Sequence, residues 1–486
     1  MSSIHLFMSR IVSESARTTV PAVLELSAIE REAFDKLYKS VATNAIHNSW
    51  ARSTSTSCLP GTRLDQIERI TKWIETRGQK KPLFVVLGTA GSGKTSLLNT
   101  VAQMCKDRRL YAGGFFFSRT GTDRTRSNNE SLNEASDRRT SESRLINTIT
   151  YQIAETIPEL RPFVARTVLA EPSILDQSLE SQTRRLLLGP LRQLRSKYPD
   201  FSVGQRIVLI DALDECGQLE DQRHVIRALA QLLSDDSFSF PCVLSTRLNP
   251  HLEHELSKAL APHIHDRVVL GTDIDSEAAD IKKYLRDSIL HIRDQHTFGS
   301  RIPPEGAEEE DLGTFVNRSG GQFIYAATVV KYIDSPDHNP YERLRSMLAI
   351  STTADRGLGA DPFAALDVLY QNLMSSLQNT DTALEILGIY LVQSTAQFWT
   401  PDVLNYLHAD FFTNHFQILD ADIVLTPLAS VLKCENGFIE IFHLTFTEFL
   451  LDSTRSGKYF VEPKRWQKWI VSQLVPFFYD RRCKVI

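Results

Sequence analysis

Two periodicities divide this chain of 486 residues. From about residue 65 to 271, short apolar runs recur: "PLFVVLG", "GGFFFSR", "RIVLID", "PCVLSTR" and the weaker "DRVVLG". Each is continuous rather than alternating and is bounded by Pro, Gly or charge. That pattern predicts strands buried on both faces. Apolar residues return at i, i+3 and i+4 in "LDQIERITKWIETR" and over 94–107, 143–157, 177–195 and 219–233, predicting helices. Strands alternating with helices imply a parallel sheet with helices on both faces.

After Gly271 the strand pattern fades. "SEAADIKKYLRDSILHI", "DLGTFVNRSGGQFIYAATVVKYI", "NPYERLRSMLAI", "PFAALDVLYQNLMSSL" and "TALEILGIYLV" read as helices. A smaller unit follows, from "TPDVLNYLHADF" to "FIEIFHLTFTEFLLD", expected to mix helices with one apolar strand. Before the first strand lie one helical pattern, "SAIEREAFDKLYKSVATNAI", and a Ser/Thr-rich joint, "ARSTSTSCLPGTR". Segment 120–143, "TGTDRTRSNNESLNEASDRRTSES", has too few apolar side chains to bury a core and reads as a solvated loop. No repeat at solenoid or propeller period is present.

Composition narrows the class. Hydrophobic residues at 42% and charged ones at 23% fit a globular chain. A net charge of −5 gives no basic field for nucleic acid, so none is expected as a partner. The six cysteines form no C-x-x-C pair, which suggests neither a zinc site nor a disulfide framework. No apolar stretch reaches the roughly 18 residues of a membrane span. The N-terminal apolar run is too short for a secretory signal. The expected location is the cytoplasm.

The chemistry begins at "GTAGSGKT", which fits G-x-x-x-x-G-K-[ST]. It follows an apolar strand and opens a helix, as phosphate binding requires. The backbone of Gly88, Thr89, Ala90, Gly91, Ser92 and Gly93 can turn its N–H groups on phosphate oxygens. The helix start at Lys94, Thr95 and Ser96 adds partial positive charge. Lys94 can reach the β- and γ-phosphates, and the Thr95 hydroxyl can ligate Mg2+. The motif lacks the third glycine of a dinucleotide fingerprint. "RIVLIDALDEC" places Asp211 at a strand's C-terminal tip, where it can hold the metal. Asp214 and Glu215, one loop turn beyond, are candidates to orient attacking water; the choice leans to Asp214. Asp214 could instead cap the following helix. "PCVLSTRLNP" ends in Thr246 and Arg247, a polar group and a cation placed to sense a γ-phosphate. The alternative for Arg247 is pairing with surface carboxylates.

"CLPGTR", "GTAGSGKTSLL", "GGFFFSR", "TITYQIAETIPELRP", "IVLIDALDEC" and "GGQFIYAATVVKYI" occur here in the order found in the NACHT-type NTPases of filamentous fungi. From about Cys58 to Phe460 the chain resembles this group, part of the STAND class of signalling P-loop ATPases. The resemblance implies an α/β P-loop NTPase, then an all-helical domain and a winged-helix-like domain. The corresponding ranges are 61–272, 273–395 and 396–462, with an N-terminal helical and linker segment (1–60) and a C-terminal helical tail (463–486). It implies a cytoplasmic switch using ATP or ADP (GTP is possible) with Mg2+, hydrolysing slowly and recruiting protein partners or further copies of itself. Non-self recognition or programmed cell death would be its setting. Gly88, Gly93, Lys94 and Thr95 match the Walker A positions, and Asp211, Asp214 and Glu215 match the acidic motif. Arg247 resembles the sensor arginine, although the usual Thr-Ser-Arg-Pro reads Ser-Thr-Arg-Leu-Asn-Pro here. "SGGQFIYAA" resembles an element that packs near the base, with Gln-Phe where Leu-Pro or Leu-Phe is usual. "FHLTFTEFLLD" resembles the winged-helix motif whose histidine contacts the β-phosphate of ADP; His443 holds that position. Relatives often add an effector domain before and repeats after. Partners would provide those parts, or the gene is reduced or truncated. The competing readings are a P-loop kinase for a small metabolite, with the arginines of 120–143 as its lid, and a scaffold that binds without turnover.

Overall fold

The computed structural model describes residues 26–49, 57–76, 81–118, 141–199, 204–271, 273–350, 363–395, 421–435, 438–469 and 472. The expected loop at 120–143 lies almost wholly outside these residues, as do "TPDVLNYLHADF", where the closing unit is expected to begin, and most of the C-terminal tail.

Five strands form one parallel sheet: β1 (Leu83–Gly88), β2 (Tyr111–Phe116), β3 (Ile207–Asp211), β4 (Cys242–Arg247) and β5 (Ile264–Leu270). Their order is β2-β3-β4-β1-β5. Successive residues of β1 enter different cores. Leu83, Val85 and Leu87 join one cluster with Phe115, Val208 and Leu244. Phe84 and Val86 join another with Phe116, Leu209 and Val243. Burial on both faces is why these runs are continuous in sequence. β5 stands at an edge and is partly exposed, which explains its weaker pattern. The other edge, β2, is covered. Gln152, on the helix Leu145–Thr156, accepts from the Gly114 N–H at 3.2 Å and donates to the Gly114 carbonyl at 2.8 Å. One turn later the Thr156 hydroxyl donates to the Ala112 carbonyl.

Several elements differ from expectation. The helix expected over 177–195 is instead Leu179–Gln182, a π-helical stretch Thr183–Leu188 and Gly189–Lys197. Pro190 has no N–H and crowds the preceding turn, so an i→i−4 ladder cannot pass through it. The 311–333 pattern splits into Glu309–Ser319 and Phe323–Ile333, because Gly320 and Gly321 both take positive φ. Helices Arg161–Ala170 and Pro250–Leu260, each with an early proline, join the core cluster that holds Leu83 and Val85. The closing unit has two strands rather than one: β6 (Leu432–Glu435) pairs antiparallel with β7 (Phe438–Ile441). β6 reads "LKCE", too polar to announce itself.

The second half has its own core around Ile281, Phe315, Tyr370, Phe446 and Phe449. The helix Leu444–Leu451 packs on Ala364–Ser375, where the Tyr370 hydroxyl lies 2.9 Å from that of Thr445. Among the described residues no helix is long and apolar enough to cross a membrane.

Candidate functional site

The sheet order sets the C-terminal ends of β1, β4 and β3 side by side, with Gly88 opposite Arg247 in register. In open α/β sheets that rim is where ligands bind. The loop after β1 turns through Gly91 (φ +74°) and Gly93 (φ +90°), and the helix Lys94–Asp107 starts at once. A side chain at either position would be strained. Lys94 is buried; its amine donates to the carbonyls of Gly88 (3.0 Å) and Thr89 (2.8 Å). Burial pulls its pKa below the ordinary value, opposed chiefly by Asp214.

β3 ends at Asp211, which is fully buried and accepts a hydrogen bond from Ser245. The next residue, Ala212, sits in the left-handed region at φ +55°, with its N–H bonded to the Ser245 hydroxyl at 2.8 Å. An alanine held there is strained, and such strain concentrates at functional sites. The turn swings Leu213–Glu215 over the strand ends. Asp214 then meets one residue twice: Oδ1 accepts from the Arg247 N–H at 2.9 Å, and Oδ2 forms an ion pair with Arg247 Nε at 2.8 Å. Thr246 is buried, its hydroxyl 3.5 Å from Asp214 Oδ1. The other face of Arg247 reaches Glu448 on the helix Leu444–Leu451. Burial works against the guanidinium charge, but Glu448 and Asp214 outweigh it and raise its pKa.

These groups border a cavity of about 510 Å³. Ala90, Gly91, Gly93, Lys94, Thr95, Ser96, Asp214, Glu215 and Arg247 line it; Gly88, Thr89, Ser92, Asp211 and Thr246 stand behind. The opposite wall comes from the second half: Tyr284, Phe323, Lys331, Glu440 and His443. The histidine expected to fold back therefore shares a cavity with the phosphate loop. Its ring is partly reached by solvent; loss of hydration, and then the charge of Lys331, hold its pKa down to about 3. Docking of the second half is direct. The Ile324 N–H donates to the Gly91 carbonyl at 3.1 Å, and a Cβ on Gly91 would lie 2.2 Å from Ile324 Cγ2.

Several lining residues escaped the motif reading as named sites, Arg63, Tyr284, Glu440 and Lys331 among them. Arg63, last residue of "CLPGTR", is buried in the left-handed region (φ 56°). Its guanidinium bonds Glu277 and the Ser92 carbonyl, both at 2.9 Å, and lies 4.8 Å from the Phe323 ring centre. A buried charge survives only when held in this way. Tyr284 meets Phe323 edge-on at 6.0 Å. Glu440 and Lys331 complete that wall. Phe323, Ala327 and Lys331 form one i, i+4, i+8 stripe, a signal that the helical pattern did contain.

A parallel sheet, a strand–glycine loop–helix phosphate cradle and an acidic strand tip beside it define a P-loop NTPase fold. The family model described as "Nephrocystin 3, N-terminal" matches residues 61–247, ending at the last residue of β4. No curated protein matches the chain. Two solved structures are among those this chain matches. "Structure of Drosophila ORC bound to GC-rich DNA and Cdc6" is 13% identical, with 75% of this chain and 56% of that chain covered at a TM-score of 0.28. "Structure of Drosophila ORC bound to poly(dA/dT) DNA and Cdc6 (conformation 1)" is 12% identical, with 86% and 62% covered at the same TM-score. This chain thus spans less than two thirds of either.

Proposed function

We propose that the cavity binds ATP or ADP with Mg2+ and that the chain is a nucleotide-dependent switch. The observation that carries this reading is the single cavity shared by the phosphate loop and by His443, about 350 residues downstream. A pocket built by two halves of a chain changes when either half moves, so a ligand's tail can set their arrangement.

The residues suit the ligand. Gly91 and Gly93 shape the cradle, and Lys94 supplies charge once its amine leaves the loop carbonyls for phosphate. Tyr284 and Phe323 offer an aromatic wall to a purine. Thr95 and Asp211 would hold Mg2+, an all-oxygen set of the kind this ion takes with few protein ligands. When bound, the metal neutralises charge on the phosphates. Arg247 pairs with both oxygens of Asp214, which favours Glu215, on the same cavity, as the proposed water-orienter. Hydrolysis would be slow and would serve to reset the switch. His443, neutral, offers a single N–H to a β-phosphate. Signalling in the cytoplasm, through protein partners or self-assembly, is the role this reading supports, with non-self recognition or programmed cell death as its setting.

The test is to purify the chain and identify any nucleotide that comes with it. Tightly held ADP supports the switch. An empty protein that turns over ATP only with an added small acceptor refutes it. Lys94→Arg abolishes binding; affinity unchanged within about twofold removes the phosphate-cradle reading.

A further inference from the structure

We infer that Lys331 is a second phosphate-binding cation, supplied by the helical half to the tail of the ligand that the phosphate loop cradles. The inference rests on the nucleotide reading of the cavity and adds a residue to it.

Four cations line this cavity: Arg63, Lys94, Arg247 and Lys331. Three have oxygen partners. Arg63 pairs with Glu277, Arg247 with Asp214 and Glu448, and Lys94 donates to two loop carbonyls. Lys331 makes no hydrogen bond or ion pair among the described residues. Its amine instead rests 3.3 Å from the centre of the Phe442 ring. Burial pulls its pKa below the ordinary value, and Glu440 opposes this only through its charge.

Magnitudes decide what that amine prefers. An ammonium over a ring is stabilised by about 0.5–2 kcal/mol, whereas a hydrogen bond to a charged group is worth about 1.5–3 kcal/mol. A phosphate oxygen entering the cavity therefore displaces the ring as partner. Lys331 is anchored to the phosphate loop by its own helix, because Ile324, seven residues earlier, bonds the Gly91 carbonyl. His443 cannot play this part itself. Loss of hydration, and then the charge of Lys331, disfavour its protonation, so the second half brings one cation and one neutral donor.

The experiment is calorimetric titration of the full chain with ADP, comparing wild type, Lys331→Met and Lys331→Arg, with ligand-free thermal midpoints recorded alongside. Lys331→Met is expected to weaken ADP by about tenfold or more, Lys331→Arg to restore it. The ligand-free midpoint stays level or rises in Lys331→Met, because an unpaired partly buried charge has been removed. A lysine kept only for packing gives the reverse: a lower midpoint and ADP affinity within about twofold of wild type. That outcome overturns the inference, as does a loss of affinity that Lys331→Arg leaves unrestored. Lys94→Ala is run in parallel. If it leaves ADP binding intact, the nucleotide reading itself has failed; if it abolishes binding while Lys331→Met does nothing, only Lys331 is misassigned.

Discussion

Arg247 Nη1 lies 2.6 Å from Glu448 Oε1, joining residues 201 positions apart across the two halves of the chain. The arginine is simultaneously clamped by Asp214. With side-chain exposures of 24% and 33%, solvent screens the pair appreciably. Glu448→Gln is therefore expected to cost no more than about 1 kcal/mol. The informative measurement is a double-mutant cycle with Arg247→Met in urea denaturation. Coupled residues lose less together than the sum of the single losses; strict additivity would show that the contact stabilises nothing.

Glu215→Gln is expected to slow ATP turnover by about 10²–10⁴-fold while ADP affinity stays within about twofold. Single-turnover assays decide it. Unchanged turnover returns the water-orienting role to Asp214, whose Asp214→Asn variant is then the one to show that loss.

Gly91→Ala addresses the docking of the halves. It places a Cβ on Ile324 and forces alanine to φ +74°. The expected loss is about 2 kcal/mol or more, since left-handed strain alone costs about 1–2 kcal/mol. Adding Ile324→Ala removes the clash and recovers part of the loss. If the double variant is no better than Gly91→Ala, the contact is not what makes glycine necessary.

His443 gives the site a pH signature. Its folded pKa is depressed to about 3 from an ordinary value of 6.5. Between those values the unfolded chain binds a proton that the folded chain refuses, so stability falls as pH drops through this window. His443→Leu is expected to flatten the dependence and to speed ADP release. An unchanged slope between pH 4 and 6 in the variant (about the middle of the window) assigns the acid sensitivity to other groups.

The sheet and its phosphate cradle were legible because burial on both faces leaves an unbroken apolar run, and because the cradle's residue types are contiguous. The helix Lys94–Asp107 starts and ends where its periodicity does. The far wall was harder to read. His443 came from a motif, but Arg63 and Lys331 acquire their surroundings only through folding. Arg63 is fixed by Glu277 and Asp280, both more than 200 residues away. Asp214 reads as a candidate water-orienter, and its pairing with Arg247, 33 residues later, comes only with folding. Strand β6 was missed because half of its residues are charged and its partner supplies the order.

The pairing of Gln152 with Gly114 has a consequence beyond the site. One primary amide imitates a rung of a sixth strand, satisfying both polar groups that β2 turns outward at that residue. Open edges invite other chains to add to a sheet. Here the invitation is withdrawn by a helix of the same domain, with Thr156 guarding the next outward rung at Ala112. Any assembly of this chain that left the helix Leu145–Thr156 in place would have to join through side-chain surfaces or through β5, rather than by lengthening the sheet beyond β2.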